Sequence, residues 1–152
     1  MSDVVVIGLG NPFRRDDGLG HAAAAAVADR LPATTVVLLD GEATRLVDAW
    51  AGKRLAVVID AVSTGDPPGT LHRIEVGVDT LPDPPAGRST HGAGLATAVA
   101  LGRALGRNPE LLVVYGVEPG DFSDGRGLGP SVRNALAQLV ERIVTEVQAS
   151  CA

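Results

Sequence analysis

The sequence predicts an α/β fold in which a parallel sheet carries helices on both faces. Two observations predict it. Runs of near-continuous apolar residues, VVVI at 4–7, TVVLL at 35–39, LAVVI at 55–59 and LLVVY at 111–115, have the length and β-branched content of strands buried on both faces. Segments with the apolar spacing of helices alternate with the first three runs, which is the pattern of a sheet built from crossover units.

The first strand breaks at Gly8 and Gly10 and passes through Asn11 and Pro12 into a loop bearing Arg14, Arg15, Asp16 and Asp17. Leu19, Ala22, Ala23, Ala26 and Val27 then recur at helical spacing, so a helix is expected over 18–31, stopped by Pro32. The strand at 35–39 is read as buried and ends at Asp40 and Gly41. A short amphipathic helix follows at about 43–51, and the strand at 55–59 again ends on an acid, Asp60. Right-handed crossovers place these strand ends on one edge of the sheet, so Asp17, Asp40 and Asp60 should share it.

STGDPPG at 63–69 is turn chemistry, and TLHRIEV at 70–76 alternates polar with apolar residues as a half-exposed edge strand does. A proline-rich loop at 81–89 delivers His91 to a helix at about 93–105. The strand at 111–115 leads into a Gly-rich loop, 117–129. The last helix opens with Pro130, a favourable first-turn residue, and carries a core-facing stripe from Val132 to Val147. Neither an internal repeat nor a linker interrupts the 152 residues, so one domain is expected over 1–152.

Composition narrows the function classes. With 45% hydrophobic and 3% aromatic residues, the core must be built from Ala, Val, Leu and Ile. A formal charge of −5 disfavours a non-specific grip on nucleic acid or an anionic membrane, both of which reward clustered Lys and Arg. The lone cysteine, Cys151, has no internal disulfide partner. The opening MSDVVV has no basic stretch before its apolar run, and no run approaches the roughly 18 apolar residues of a membrane span. A cytoplasmic location is expected.

Gly8 and Gly10 begin a G-x-G, but Phe13 replaces the third glycine of a dinucleotide fingerprint and Pro12 removes an amide. Two carboxylates at Asp16 and Asp17 would also repel a pyrophosphate, so NAD binding is disfavoured. Asp17, Asp60 and His91 form a different set. Two carboxylates and one imidazole, each at a strand end or helix start on one edge, suit a borderline divalent ion and leave positions open. The competing reading makes the acids caps or turn residues and His91 a helix-start residue. Asp16 rivals Asp17, and spacing does not separate them. Asp40 either hydrogen-bonds a ligand group or closes an Asx turn. His21, four residues after Asp17, is read as exposed or packing, His72 as exposed, and Glu118 as a solvated loop acid, with a place lining the cleft as the alternative. Ser89, Thr90 and Ser123 lack a readable histidine-acid set for a serine hydrolase.

With these residues in view, the chain resembles the hydrogenase maturation endopeptidases, nickel-dependent proteases that trim the large subunit of [NiFe] hydrogenases. Five ordered blocks carry the likeness: GLGNPFRRDDGLG, LDGEAT, IDAVSTGDPPGT, STHGAGL and YGVEPGDFSDGRGLGPSV. The resemblance implies a twisted mixed sheet, mostly parallel with an antiparallel edge strand, between helices. It also implies that Asp17, Asp60 and His91 are the metal-contacting, catalytic residues, which favours Asp17 over Asp16; that family position takes Glu or Asp. The implied partner is a large-subunit precursor, which brings the nickel and loses a short C-terminal extension, and the family leans towards monomers. Arg14 and Arg15 are read as solvent-facing, with precursor contact the alternative. Two other readings compete: a non-catalytic relative that binds precursor or metal, and a peptidyl-tRNA hydrolase. The latter also opens with a strand and GLGNP, but it continues with an Asn- and His-bearing loop where this chain has FRRDDGLG.

Overall fold

The computed structural model describes residues 3–79, 81, 94–120 and 125–151. Among them, β1 (Val4–Leu9), β2 (Thr35–Leu39), β3 (Leu55–Ala61), β4 (Leu71–Glu75) and β5 (Leu111–Val117) form a sheet in the order β2-β1-β3-β5-β4. Its pairs are parallel except β4 with β5, which is antiparallel, as expected for the 70–76 stretch. Helices α1 (Leu19–Arg30), α2 (Ala43–Trp50), α3 (Gly94–Leu105) and α4 (Pro130–Ser150) cover the sheet, and a 3-10 turn, Arg15–Gly18, leads into α1.

The strand order dictates the layers. The crossover from β1 to β2 runs one way and the crossover from β2 back past β1 to β3 runs the other. Right-handed connections therefore put α1 and α2 on opposite faces. One core packs Val6, Val57, Ile59 and Val113 against Leu19, Ala23 and Val27 of α1 and Leu139, Ile143 and Val147 of α4. The other packs Val5, Ile7, Val58 and Val114 against Leu46 and Trp50 of α2 and Ala98 and Val99 of α3. On the first face, Arg73 of β4 and the Tyr115 hydroxyl donate to Glu146 of α4 at 2.8 and 2.7 Å. Burial and that carboxylate push the Tyr115 phenol up to about 12.

Three local expectations are corrected. The strand at 35–39 is not buried: among the described residues β2 pairs only with β1, and as an edge it leaves Leu38 50% exposed. The first strand does not break at Gly8 but runs to Leu9, because partners on both sides continue its ladder. Gly8 is admitted there by close packing, since a Cβ would lie 2.3 Å from the Gly20 carbonyl oxygen and 2.8 Å from the Ala24 Cβ. Likewise β3 runs through Asp60 to Ala61, so Asp60 belongs to the strand and does not follow it.

Candidate active site

The order β2-β1-β3 makes the gap between the carboxyl ends of β1 and β3 the switch point of the sheet, where chains leave in opposite directions and open a crevice. Both predicted acids lie at this edge. Asp17 sits in the 3-10 turn after β1 and is 6% exposed; Asp60 lies near the end of β3 and is 4% exposed. Asp60 follows Ala56 and Val58 in strand phase and so projects on the α2/α3 side. The Asp17 Oδ2 accepts the Asn11 amide at 3.0 Å, and the Asp60 Oδ1 accepts the Ala61 amide at 2.8 Å. His91 lies outside the described residues, as do Ser89, Thr90 and Ser123.

Glycine lets the turn come this close to the sheet. A Cβ at Gly20 would lie 2.2 Å from the Leu9 carbonyl oxygen and 2.6 Å from that of Ile59, so the start of α1 rests directly on the ends of β1 and β3. Gly10 has φ +130°, and a Cβ there would lie 1.9 Å from the Asp17 carbonyl oxygen. On the other side, a Cβ at Gly94 would lie 1.6 Å from the Gly41 carbonyl oxygen, which seats the start of α3 on the turn after β2. Side chains at these positions would push the acid-bearing turn or α3 off the sheet edge.

Asp16 and Asp17, which spacing leaves equivalent, occupy different environments. The Asp16 carboxylate is 1% exposed and accepts the Gly120 amide at 2.8 Å and the Gly129 amide at 2.6 Å. It therefore ties the turn to the loop after β5 and to the N-terminal end of α4, where a negative charge is favoured. Backbone bonds reinforce the tie: Gly125 N donates to the Phe13 carbonyl at 2.8 Å, and Arg15 N to the Gly125 carbonyl at 3.1 Å. Arg15 adopts φ +44°, a strained conformation for a non-glycine residue, and its guanidinium donates to the Arg126 carbonyl at 3.2 Å. Arg14 and Arg15 are thus half-buried parts of this junction, not freely solvated loop residues. Asp16→Ala strands two amides and is expected to destabilise the fold by about 2–4 kcal/mol, read from urea unfolding midpoints; an unchanged midpoint would refute the clamp.

Other candidates resolve individually. The Asp40 Oδ1 accepts the Glu42 amide at 3.0 Å two residues on, an Asx turn at an exposed position. His21 is half-buried, with its Nε2 2.9 Å from the Leu39 carbonyl at the end of β2, a packing role as expected. Glu118 corrects the expectation of a solvated acid, being 2% exposed. Burial alone would raise its carboxyl, but donors from Thr64 and His72 hold it below the usual carboxylate range. His72 is half-buried against it, with Nε2 at 2.8 Å from its Oε2. Extending the strand phase of Leu112, Val114 and Gly116 by one step reaches Glu118, a sequence signal that was available.

Comparison with known proteins agrees with this architecture. The family model described as hydrogenase maturation protease matches residues 23–146. The hydrogenase expression/formation protein HupD of Thiocapsa roseopersicina is 33% identical over 145 residues, covering 91% of this chain and 65% of its own length. The HoxM protein of Cupriavidus necator is 31% identical over 147 residues, covering 93% of this chain and 70% of its own. The chain thus spans about two thirds of the length of these relatives. Among solved structures, the hydrogenase maturating endopeptidase HybD from E. coli superposes with a TM-score of 0.78 at 24% identity, covering 97% of this chain and 93% of that one. HybD from Thermococcus kodakarensis does so at 0.67 and 25% identity, covering 92% and 95%. The fold, the order of the elements and the extent of the family match lead to one conclusion: the chain belongs to the hydrogenase maturation protease family.

Proposed function

We propose that the chain is an endopeptidase that removes the C-terminal extension of a nickel-loaded [NiFe] hydrogenase large-subunit precursor. The observation that carries the reading is a pair of carboxylates, Asp17 and Asp60, buried at the switch point of a fold shared with this protease family. Burying two acids at one edge of the sheet carries a desolvation cost, and a cation brought there with the substrate offsets it. The donor set of Asp17, Asp60 and His91 suits a borderline divalent ion, and the precursor's nickel is that ion, arriving as part of the substrate. Held there, nickel supplies Lewis-acid polarisation of the scissile carbonyl.

The chain's own groups supply position and proton transfer. The Asp16 clamp and the contacts of Gly10 and Gly20 fix the turn that carries Asp17, so its carboxylate needs little reorganisation when substrate binds. A carboxylate at the mouth of the crevice, Asp17 or Asp60, takes the proton of the attacking water. The test is a time course in which the purified chain is mixed with nickel-loaded precursor, with nickel-free precursor as control, and the products are weighed by mass spectrometry. Loss of a short C-terminal peptide only from the loaded precursor is the expected result. Equal cleavage of both would remove nickel recognition from the mechanism. No cleavage of the cognate loaded precursor would overturn the enzymatic reading and favour a non-catalytic binder.

A further inference from the structure

On the same face of the sheet as Asp60, one strand further out, lies a second group of donor atoms. Asp60 and His72 both register with Gly116 of β5, so they flank it from either side, roughly 10 Å apart by strand spacing. The Val62 side chain fills the space over Gly116, where a Cβ would lie 2.4 Å from its Cγ2. Beyond Val62, Asp66, His72 and Glu118 each bring one ligand atom within 4.8 Å of the others. The Thr64 hydroxyl joins them.

The distances describe a coordination polyhedron. Thr64 Oγ1 lies 2.5 Å from Glu118 Oε2, 3.2 Å from Asp66 Oδ2 and 3.4 Å from His72 Nε2. His72 Nε2 lies 2.8 Å from Glu118 Oε2 and 3.5 Å from Asp66 Oδ2. A tetrahedral site with arms of about 2.0–2.2 Å has edges of about 3.3–3.6 Å, so small side-chain adjustments bring these four atoms to ligand positions.

Protons alone serve this cluster poorly. Both carboxylates converge on one ring nitrogen, which holds at most one proton; the Thr64 hydroxyl adds one more, and the Thr64 amide donates to Glu118 and not to Asp66. Glu118 takes the short contacts from both, and Asp66 is left at the longer ones. Among the described residues of the cluster, two carboxylates face at most one imidazolium, which leaves negative charge beside a nearly buried acid. A dication offsets that charge and satisfies the four atoms together.

We propose that Asp66, His72 and Glu118, with the Thr64 hydroxyl, form a second divalent-cation site, separate from Asp17 and Asp60. One imidazole and two carboxylates select a borderline ion such as Zn2+ or Co2+. The Thr64 amide, donating to Glu118 Oε1 and Oε2 at 3.1 and 3.0 Å, orients the carboxylate that faces the ion. Bound there, the ion fastens the turn between β3 and β4 to the ends of β4 and β5 and so stiffens one rim of the crevice. The inference is independent of the proteolytic reading.

The test titrates Co2+ and Zn2+ into the full chain carrying Asp60→Asn, which disables the first candidate site, and reads the Co2+ visible spectrum and the Tm. One equivalent of ion should bind, and Zn2+ at a hundredfold excess over its Kd should raise the Tm by at least about 5 °C. Adding His72→Ala should abolish the spectrum and the Tm shift. Adding Asp66→Asn, at an exposed position, should weaken binding tenfold or more. Absence of uptake at millimolar ion would overturn the site. So would uptake that neither added substitution changes, and if His72→Ala fails to fold, Asp66→Asn alone decides.

Discussion

Asp60→Asn and Asp17→Asn should each lower the rate of precursor processing by about 10²–10⁴-fold, the range for removing a positioned acid-base group, while the melting temperature stays near that of the parent chain. Both substitutions remove charge at nearly constant shape. An Asn side-chain oxygen still accepts the Ala61 amide in place of Asp60 Oδ1, and the Asn11 amide in place of Asp17 Oδ2, so the local hydrogen bonds survive. What is lost is the negative charge that would hold a divalent ion or take a proton from water. Mass-spectrometric time courses with nickel-loaded precursor, beside calorimetric scans of each variant, separate lost chemistry from lost folding. Wild-type rates in both variants would remove these acids from the mechanism.

Gly20→Ala is the substitution expected to damage the fold most for its size. The added methyl group would meet two backbone oxygens, Leu9 at 2.2 Å and Ile59 at 2.6 Å, and neither can swing aside as a side-chain tip can. Helix α1 must move off the ends of β1 and β3, and it carries the turn with Asp17. Overpacking of this kind costs about 3 kcal/mol, equivalent to a fall in Tm of about 6–12 °C for a chain of this length. Processing should fall with it even below the melting range, because displacement of the Asp17 turn spoils alignment. Gly52→Ala is the control, since a Cβ there meets nothing within 4 Å and only its φ of +74° opposes the change. A loss in Gly20→Ala no larger than in Gly52→Ala would mean that the close approach at Gly20, whose backbone is ordinary helix, costs little.

Local pattern made much of the scaffold legible. The apolar run at 55–59 and the helical spacing from Val132 to Val147 lie within β3 and α4, because burial on one or both faces imposes a period that a single segment displays. Edges were harder to read. TVVLL has the composition of a buried strand but forms β2 at the margin of the sheet, since strand order depends on which crossovers form and leaves no mark on the strand itself.

By itself, the sequence determined the α/β class, the acids carried by the first and third strand segments and, through five ordered blocks, the family. Only the tertiary structure decided that β1 and β3 adjoin at the switch point, that Asp16 is a clamp, and that Glu118 is buried with His72. The reason is separation along the chain. Asp16 meets its amide partners 104 and 113 residues away, and Glu118 meets His72 across 46. Such pairings arise from how helices and loops dock on the sheet, and no local periodicity encodes them.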